Sequence, residues 1–413
     1  MSPPVVVVGA GLAGLSCAVT LHRAGVDTIV VEASDGVGGR VRTDRVDGFL
    51  LDRGFQVMLT AYPELHRQFD VEALDLRSFD PGALVMHRGR PNVVADPFRA
   101  PRDLGSTLAA GTLRRLGTPL DLLALARLRM RLRSPHPSRL LTGADLPTSE
   151  HLRRLGFSPT FIESFLRPLV GGIQLDPDLT TSSRMFDVIM RMLLDGDAAV
   201  PAGGMGTVPH QLAARLPDDA IHLGVPVLSV TPDRVRIDSG EVRAAHVVVA
   251  TEGPAAHRLI GGREVGSRPV GCVYFAAEDP PTDRRLIVLA GDGDGPALNV
   301  AVMSNVAPSY APTGRHLIAA ALPGRDVTTE TVEATRRQLR GWWGTRVDLW
   351  EVISTYSIAH GQPDQSPPLH PRRAVRRDDG IFVCGDHRDT GSIQGALHSG
   401  RRCAEAVLTE LAA

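Results

Sequence analysis

The chain has 413 residues, enough for two to three domains of ~100–200 residues each, and 43% apolar against 22% charged residues argues against general disorder. Its 45 basic residues meet 46 acidic ones for a formal charge of −1, so no global field recruits nucleic acid. All 45 are arginine, a bias of the kind a GC-rich genome produces, and without one lysine Schiff-base and amine-base chemistry are excluded.

Aromatics are 4% of the chain, too few for a base-stacking platform to be expected. Cys17, Cys272, Cys384 and Cys403 form no close pair, so neither a zinc ribbon nor a CxxC redox centre is expected, and no metal site. Met1-Ser-Pro-Pro-Val5 has no basic region leading into a long apolar stretch, and no run of ~20 apolar residues exists. The expectation is a cytoplasmic protein without a membrane span.

Val5 to Val8 is a β-branched run suited to a central parallel strand. It leads into Gly9-Ala-Gly11-Leu12-Ala13-Gly14, after which Leu12, Leu15, Val19 and His22 mark one helical face and Gly25 ends the helix. A second strand, Thr28 to Val31, ends in Glu32. Gly9 permits the tight turn, Gly11 lets backbone approach a pyrophosphate, and Gly14 lets helix and strand pack closely. The free amides of the helix start face the anion. Glu32, 23 positions after Gly9, is placed to accept from a ribose hydroxyl, with Ala33 beside it. A dinucleotide site is expected here.

A second glycine loop follows, Gly36-Val-Gly38-Gly39-Arg40-Val-Arg42-Thr43. Its backbone and the Arg40 guanidinium can approach the same phosphates. This acid followed by Gly-Gly-Arg-x-x-Thr resembles the flavin-dependent superfamily of amine oxidases, phytoene desaturases and protoporphyrinogen oxidases. The resemblance implies FAD, and the acid at position 32 disfavours the 2′-phosphate of NADP. It adds Gly38, Gly39, Arg40, Gly54 and Phe55 to the expected cofactor site. No cysteine or histidine sits in a recognisable attachment motif, so non-covalent FAD is expected.

Residues 86–196 read as mainly helical. From Thr118 to Arg133, Leu120, Leu122, Leu123, Leu125 and Leu128 alternate with Arg127, Arg129, Arg131 and Arg133. Such a segment either lies on anionic lipid as a peripheral contact or is a solvated helix on a globular domain. Phe161 to Leu169 and Gly171-Gly-Ile-Gln174-Leu-Asp-Pro resemble the matching stretch of protoporphyrinogen oxidases. The run Met185 to Leu194 is apolar nearly all round, with Asp187 and Arg191 at i, i+4, and reads as a buried helix.

Pro201 to Gly206 precedes an expected helix from Val208 to Leu216, then strands over Ile221–Val230, Val235–Ile237 and Val242–Ala250. In the resembled family such a strand lays a valine against the adenine, which implies that role for Val227, and Thr251 turns beside the nucleotide. Strand-like runs follow at Val270–Ala277, Leu286–Ala290, Ala297–Met303 and Leu317–Ala321, then a helix around Thr331–Leu339 and a last run at Leu349–Ile358. In the resembled family a sheet of this kind forms one wall of a pocket above the flavin, and the resemblance implies that role for these strands.

Near the C-terminus Ile381 to Cys384 reads as a buried strand ending in Gly385-Asp386, and Thr390-Gly-Ser392-Ile393-Gln-Gly-Ala396 opens a helix reaching about Leu411. Ser392, Ala396, Gly400 and Ala404 give it one small-residue face. The resemblance implies that Asp386 accepts from the ribityl hydroxyls. It also implies that the helix start at Ser392, Ile393 and Ala396 points its dipole at the flavin N1–C2=O edge.

The fold class expected is α/β. A Rossmann-like FAD domain is built from 1–85, 197–265 and 362–413, and an α+β substrate domain from 86–196 and 266–361. Many amine oxidases of the family hold a lysine near N5 and cage the substrate nitrogen between two rings, one at the opening of the last helix. Here that position is Ser392, and the late aromatics that could substitute are Tyr356 and Trp342-Trp343. The reading therefore favours an FAD-dependent oxidoreductase taking a hydride from a lipophilic isoprenoid, polyene or tetrapyrrole. The alternatives are a flavin amine oxidase and an isomerase or other flavoprotein without net redox turnover. His387, Arg388, Asp389, Arg53, Gln56 and His360 are candidates near the flavin edge; catalytic residues and the electron acceptor (oxygen, quinone or another) stay unassigned.

Overall fold

In the computed structural model, residues 3–96, 99, 115–134 and 136–413 are described; positions 97–98, 100–114 and 135 of the expected helical stretch, and Met1-Ser2, lie outside them. The four valines of β1 (Val5–Val8) are buried on both faces, as a central parallel strand requires. Helix α1 (Leu12–Arg23) returns the chain, Gly25 adopts a φ of 79°, and β2 (Thr28–Val31) pairs parallel with β1. β3 (Ile221–His222), β4 (His246–Val249) and β5 (Phe382–Val383) complete a five-stranded sheet in the order β3-β2-β1-β4-β5, with every pairing parallel. Strands from three distant stretches of chain thus share one sheet.

The C-terminal helix, Ile393–Leu411, lies against α1. A Cβ on Gly400 would fall 2.1 Å from the Ala13 carbonyl oxygen, and Ser16 Oγ donates to the Leu397 carbonyl at 2.8 Å. Gly400, one of the small residues read from the sequence as a packing face, lies at this contact.

A second sheet has seven strands in the order Glu351–Pro363, Ser267–Ala277, His316–Pro323, Asn299–Val302, Ile287–Ala290, Gly82–His87 and Arg90–Ala95. Its two faces bury different cores. Cys272, Tyr274, Ala301 and Ala319 face the cluster shared with the dinucleotide-type sheet, whereas Val273, Phe275, Val300 and Ala320 pack with Trp350 on the far side. The pair Gly82–His87 and Arg90–Ala95 straddles position 85, so the chain enters this sheet before the expected boundary and a strand opens the stretch read as helical.

Two other expectations change. The run Ile221–Val230 divides between β3 and a separate antiparallel sheet containing Val227–Thr231, and Val242–Ala250 divides between that small sheet (Gly240–Arg243) and β4. In the helix Ser183–Asp195, Asp187 does not pair with Arg191. It accepts from Arg131 Nη1 at 2.9 Å and lies 3.2 Å from His151 Nε2, while Arg191 turns to Asp195.

Candidate functional site

The first glycine loop is close-packed on one side and open on the other. Gly9 has a φ of 108°, and a Cβ on Gly14 would sit 1.9 Å from the Gly9 carbonyl oxygen, so only glycine fits there. A Cβ on Gly11 would meet nothing within 4 Å. α1 starts at that open side with no side-chain cap and no acid in its first turn, while Leu12 and Ala13 are buried beneath it. Uncapped amides at the positive end of a 12-residue helix make an anion cradle.

The second loop is clasped to the first. Gly38 N–H donates to the Ala10 carbonyl at 2.8 Å, Gly38 and Gly11 form a parallel bridge, and a Cβ on Gly39 would lie 3.5 Å from Gly11 Cα. Both glycines have positive φ, 111° and 58°. Glu32 stands at the end of β2. One carboxylate oxygen accepts from Ala10 N at 2.7 Å, and the other from Ser34 N at 2.9 Å and Ser34 Oγ at 2.7 Å. Ala33 follows it, and Gly224 and Val225 N–H groups donate to the carbonyls of Ser34 and Glu32, which brings the Val227 strand to the same corner.

Arg40 ties this corner to the far end of the chain. Its Nη2 meets Asp386 Oδ1 at 2.8 Å and its Nη1 donates to the Gly361 carbonyl at 2.9 Å, across 346 and 321 residues. Asp386 is buried and also accepts from His387 N at 3.0 Å; Gly385 before it has a φ of 148°. Thr251 follows β4, and its Oγ1 is buried without a hydrogen-bond partner. Ser392 caps the C-terminal helix by accepting from Gly395 N at 3.0 Å, leaving the amides of Ile393 and Gln394 without intrahelical partners; Ala396 is half-buried one turn on.

Beneath the Gly54-Phe55 turn lies a feature that sequence reasoning missed. Asp52 is buried and takes hydrogen bonds from Thr43 Oγ1 at 2.6 Å, Met205 N at 2.9 Å and Tyr310 Oη at 2.8 Å, while Tyr274 Oη donates to its carbonyl at 2.8 Å. Burial pushes the Asp52 carboxyl up to about 6. Gly54 has a φ of 88° above this network, and Gln56 Nε2 donates to the carbonyls of Arg40 and Arg53, fixing the turn to the second glycine loop.

The remaining candidates separate cleanly. Arg53 is spent on Asp44, His360 meets Ser267 Oγ at 2.6 Å, and Asp389 is buried against His398 and Arg402. Arg388 reaches the Ala374 carbonyl, away from the loops. His387 is buried with an unpartnered Nδ1, and burial lowers its pKa to about 4. Trp342 and Trp343 belong to the far core of the seven-stranded sheet and cannot complete a cage. Tyr356 stands edge-on to Tyr274 with its hydroxyl on Asp44. The aromatic that lies near Ser392 is Tyr62, whose hydroxyl is raised in pKa by its burial. Only its position soon after the Gly54 turn could have signalled it.

The sequence model of one family, described as flavin containing amine oxidoreductase, matches residues 12–408. The chain belongs to that family. That family is one of flavin-containing oxidoreductases. The first curated relatives are 40–47% identical, but only over 53–75 residues that make up 6–14% of their own length. Hydroxysqualene dehydroxylase from Rhodopseudomonas palustris aligns end to end, 25% identical over 99% of both chains. Putrescine oxidase from Kocuria rosea is 28% identical over 60% of this chain and 56% of its own length. Among solved structures, cyclohexylamine oxidase from Brevibacterium oxydans superposes with a TM-score of 0.74 at 16% identity over 100% of both chains, a likeness of fold. No helix among the described residues is long and apolar enough to cross a membrane.

The family binds FAD, and the residues present fit it. The open side of Gly11, the uncapped α1 amides and the orphaned Thr251 hydroxyl form a cradle for a phosphate-rich ligand.

Proposed function

We propose that the chain is an FAD-dependent dehydrogenase, desaturase or oxidase that takes a hydride from a lipophilic small molecule such as an isoprenoid, polyene or tetrapyrrole. The FAD-binding part is assigned to 1–85, 197–265 and 362–413, and the substrate part to 86–196 and 266–361. Gly9, Gly11, Leu12, Ala13, Gly14, Gly38 and Gly39 would hold the diphosphate, with Arg40 supplying a cation and Thr251 a hydroxyl. Glu32 and Ala33 would take the ribose, Val227 the adenine, and Asp386 the ribityl chain. Gly54, Phe55, Ser392, Ile393 and Ala396 would border the ring. Bound FAD supplies acceptance of a hydride. The chain's own part is to hold the donor carbon in place and exclude water.

Non-covalent attachment is supported by the four cysteines, all of them free and buried.

The observation that carries the substrate class is the opening of the C-terminal helix. Ser392 there turns its hydroxyl to Gly395 and offers no ring face, and the sequence has no lysine to organise a water at N5. Hydride removal beside an extended π-system needs neither feature. An end-to-end relative named for a squalene derivative supports the same class. A lipophilic substrate also fits a cytoplasmic protein with peripheral membrane contact. Dye-linked assays of the holoenzyme test the proposal: product should form from an isoprenoid, carotenoid precursor or porphyrinogen. Dye reduction by putrescine or cyclohexylamine alone would refute it.

A further inference from the structure

The helix Pro119–Arg133 buries one stripe, Asp121, Ala124, Leu128 and Leu132, against its own domain. A capping box at Thr118 and Asp121 fixes its start, with Thr118 N–H donating to Asp121 Oδ2 at 2.7 Å. Its opposite side is not polar as a solvated helix would be. Leu120 is 69% exposed, Leu123 44% and Met130 67%, and Arg127 stands among them. Positions 120, 123, 127 and 130 fall on one face at helical spacing. They include three of the seven large apolar side chains that are exposed among the described residues.

Charge separates the two sides as well. Arg129 is paired with Asp96 at 2.9 Å, and Arg131 is held by Asp187 and braces this helix on Ser183–Asp195. Arg127 and Arg133 have no carboxylate partner among the described residues, and both are exposed. A chain of net charge −1 thus presents an exposed apolar stripe with one guanidinium lacking a carboxylate partner, Arg127, within it and a second, Arg133, beyond its end. Apolar side chains that enter the acyl boundary beneath arginines that stay at headgroup level are the pattern of a helix lying in a bilayer interface.

We infer that the Leu120–Leu123–Arg127–Met130 face docks the protein on an anionic bilayer surface. This gives the membrane contact of the proposed function a definite face, and its purpose, drawing a lipophilic substrate from the bilayer, rests on that reading. Docking is measured without any substrate, so the two can fail separately.

The experiment is flotation of the full-length, flavin-loaded protein with vesicles of phosphatidylcholine alone or with phosphatidylglycerol at ~30%, at low and high salt. Wild type should float with the anionic vesicles and detach as salt rises, because headgroup attraction is screened. Leu120→Ser combined with Met130→Ser should weaken binding at least ~tenfold, since partial burial of two such side chains exceeds ~1.4 kcal/mol. Arg127→Glu should abolish the preference for anionic lipid. Both variants lie on an exposed face, and unchanged flavin content and thermal midpoint show that they fold. No flotation of wild type, or flotation of the folded variants equal to wild type, overturns the inference. So does a wild-type dimer that the double variant dissolves, which would make this face an interface between copies of the chain.

Discussion

Glu32 carries more than one duty at the edge of β2. It already fixes Ala10 N and both donors of Ser34, so its carboxylate is oriented before any ribose arrives. Glu32→Ala should weaken FAD binding by about 1.5–3 kcal/mol, the usual worth of hydrogen bonds to a charged group. Wild-type FAD retention through gel filtration would show that Glu32 does not reach the ribose. Asp52 and His387 make opposite contributions to acid stability. The Asp52 carboxyl, raised to about 6 by burial, keeps its proton in the folded state at a pH where the unfolded chain has lost it, so its contribution to stability declines as pH rises from about 4 to 6. His387, lowered to about 4, stays neutral in the folded state while the unfolded chain protonates, so its contribution is lost as pH falls from about 6.5 to 4. Asp52→Asn should therefore leave a variant whose stability rises more steeply with pH over this window, by up to about 2–3 kcal/mol between its ends. Urea midpoints at several pH values check this; a slope unchanged from wild type would mean that Asp52 is ionised throughout.

Among elements, the contact of α1 with the C-terminal helix joins the N-terminal β1-α1-β2 unit to the helix that follows β5. Gly400→Ala would drive a Cβ to 2.1 Å from the Ala13 carbonyl, in a place where both neighbours are backbone of packed helices. The cost should be about 1–3 kcal/mol, the usual range for overpacking, with weaker FAD retention as α1 shifts. Chemical denaturation and flavin fluorescence read the two effects separately; unchanged values in both would mean that the helices part freely. This contact was legible in the sequence because small residues four apart can serve one purpose on a helix. The β1-α1-β2 unit was legible for the same reason, since its strand, turn and helix signals are local. The division of Val242–Ala250 between two sheets was not. The run is apolar and β-branched throughout, and the break at Ala244 and Ala245 comes from their backbone bonds to Asp233 and Pro4, distant partners that no periodicity encodes.

In the whole molecule, function depends on contacts between residues hundreds of positions apart. The sequence reading expected Arg40 and, through the family resemblance, Asp386 at one cofactor, but their direct pairing depends on the sheet order that brings β5 beside β4. The Asp52–Tyr310 contact had no motif, because it joins one ordinary side chain to another through the tertiary fold alone. The failure of Trp342-Trp343 to reach the site follows from strand parity: alternate residues of Ser267–Ala277 face opposite cores, and the tryptophans belong to the side of Val273 and Phe275. The chain has no lysine and carries a serine, not an aromatic residue, at the opening of its C-terminal helix, and on the proposed reading that defines the central measurement. Under anaerobic stopped flow, the holoenzyme's flavin band near ~450 nm should bleach with a conjugated lipophilic donor at rates of about 1 s⁻¹ or more. Primary and secondary amines and polyamines should leave the band essentially unchanged over the same time. Fast bleaching by any simple amine would contradict the account and return the chain to amine oxidation.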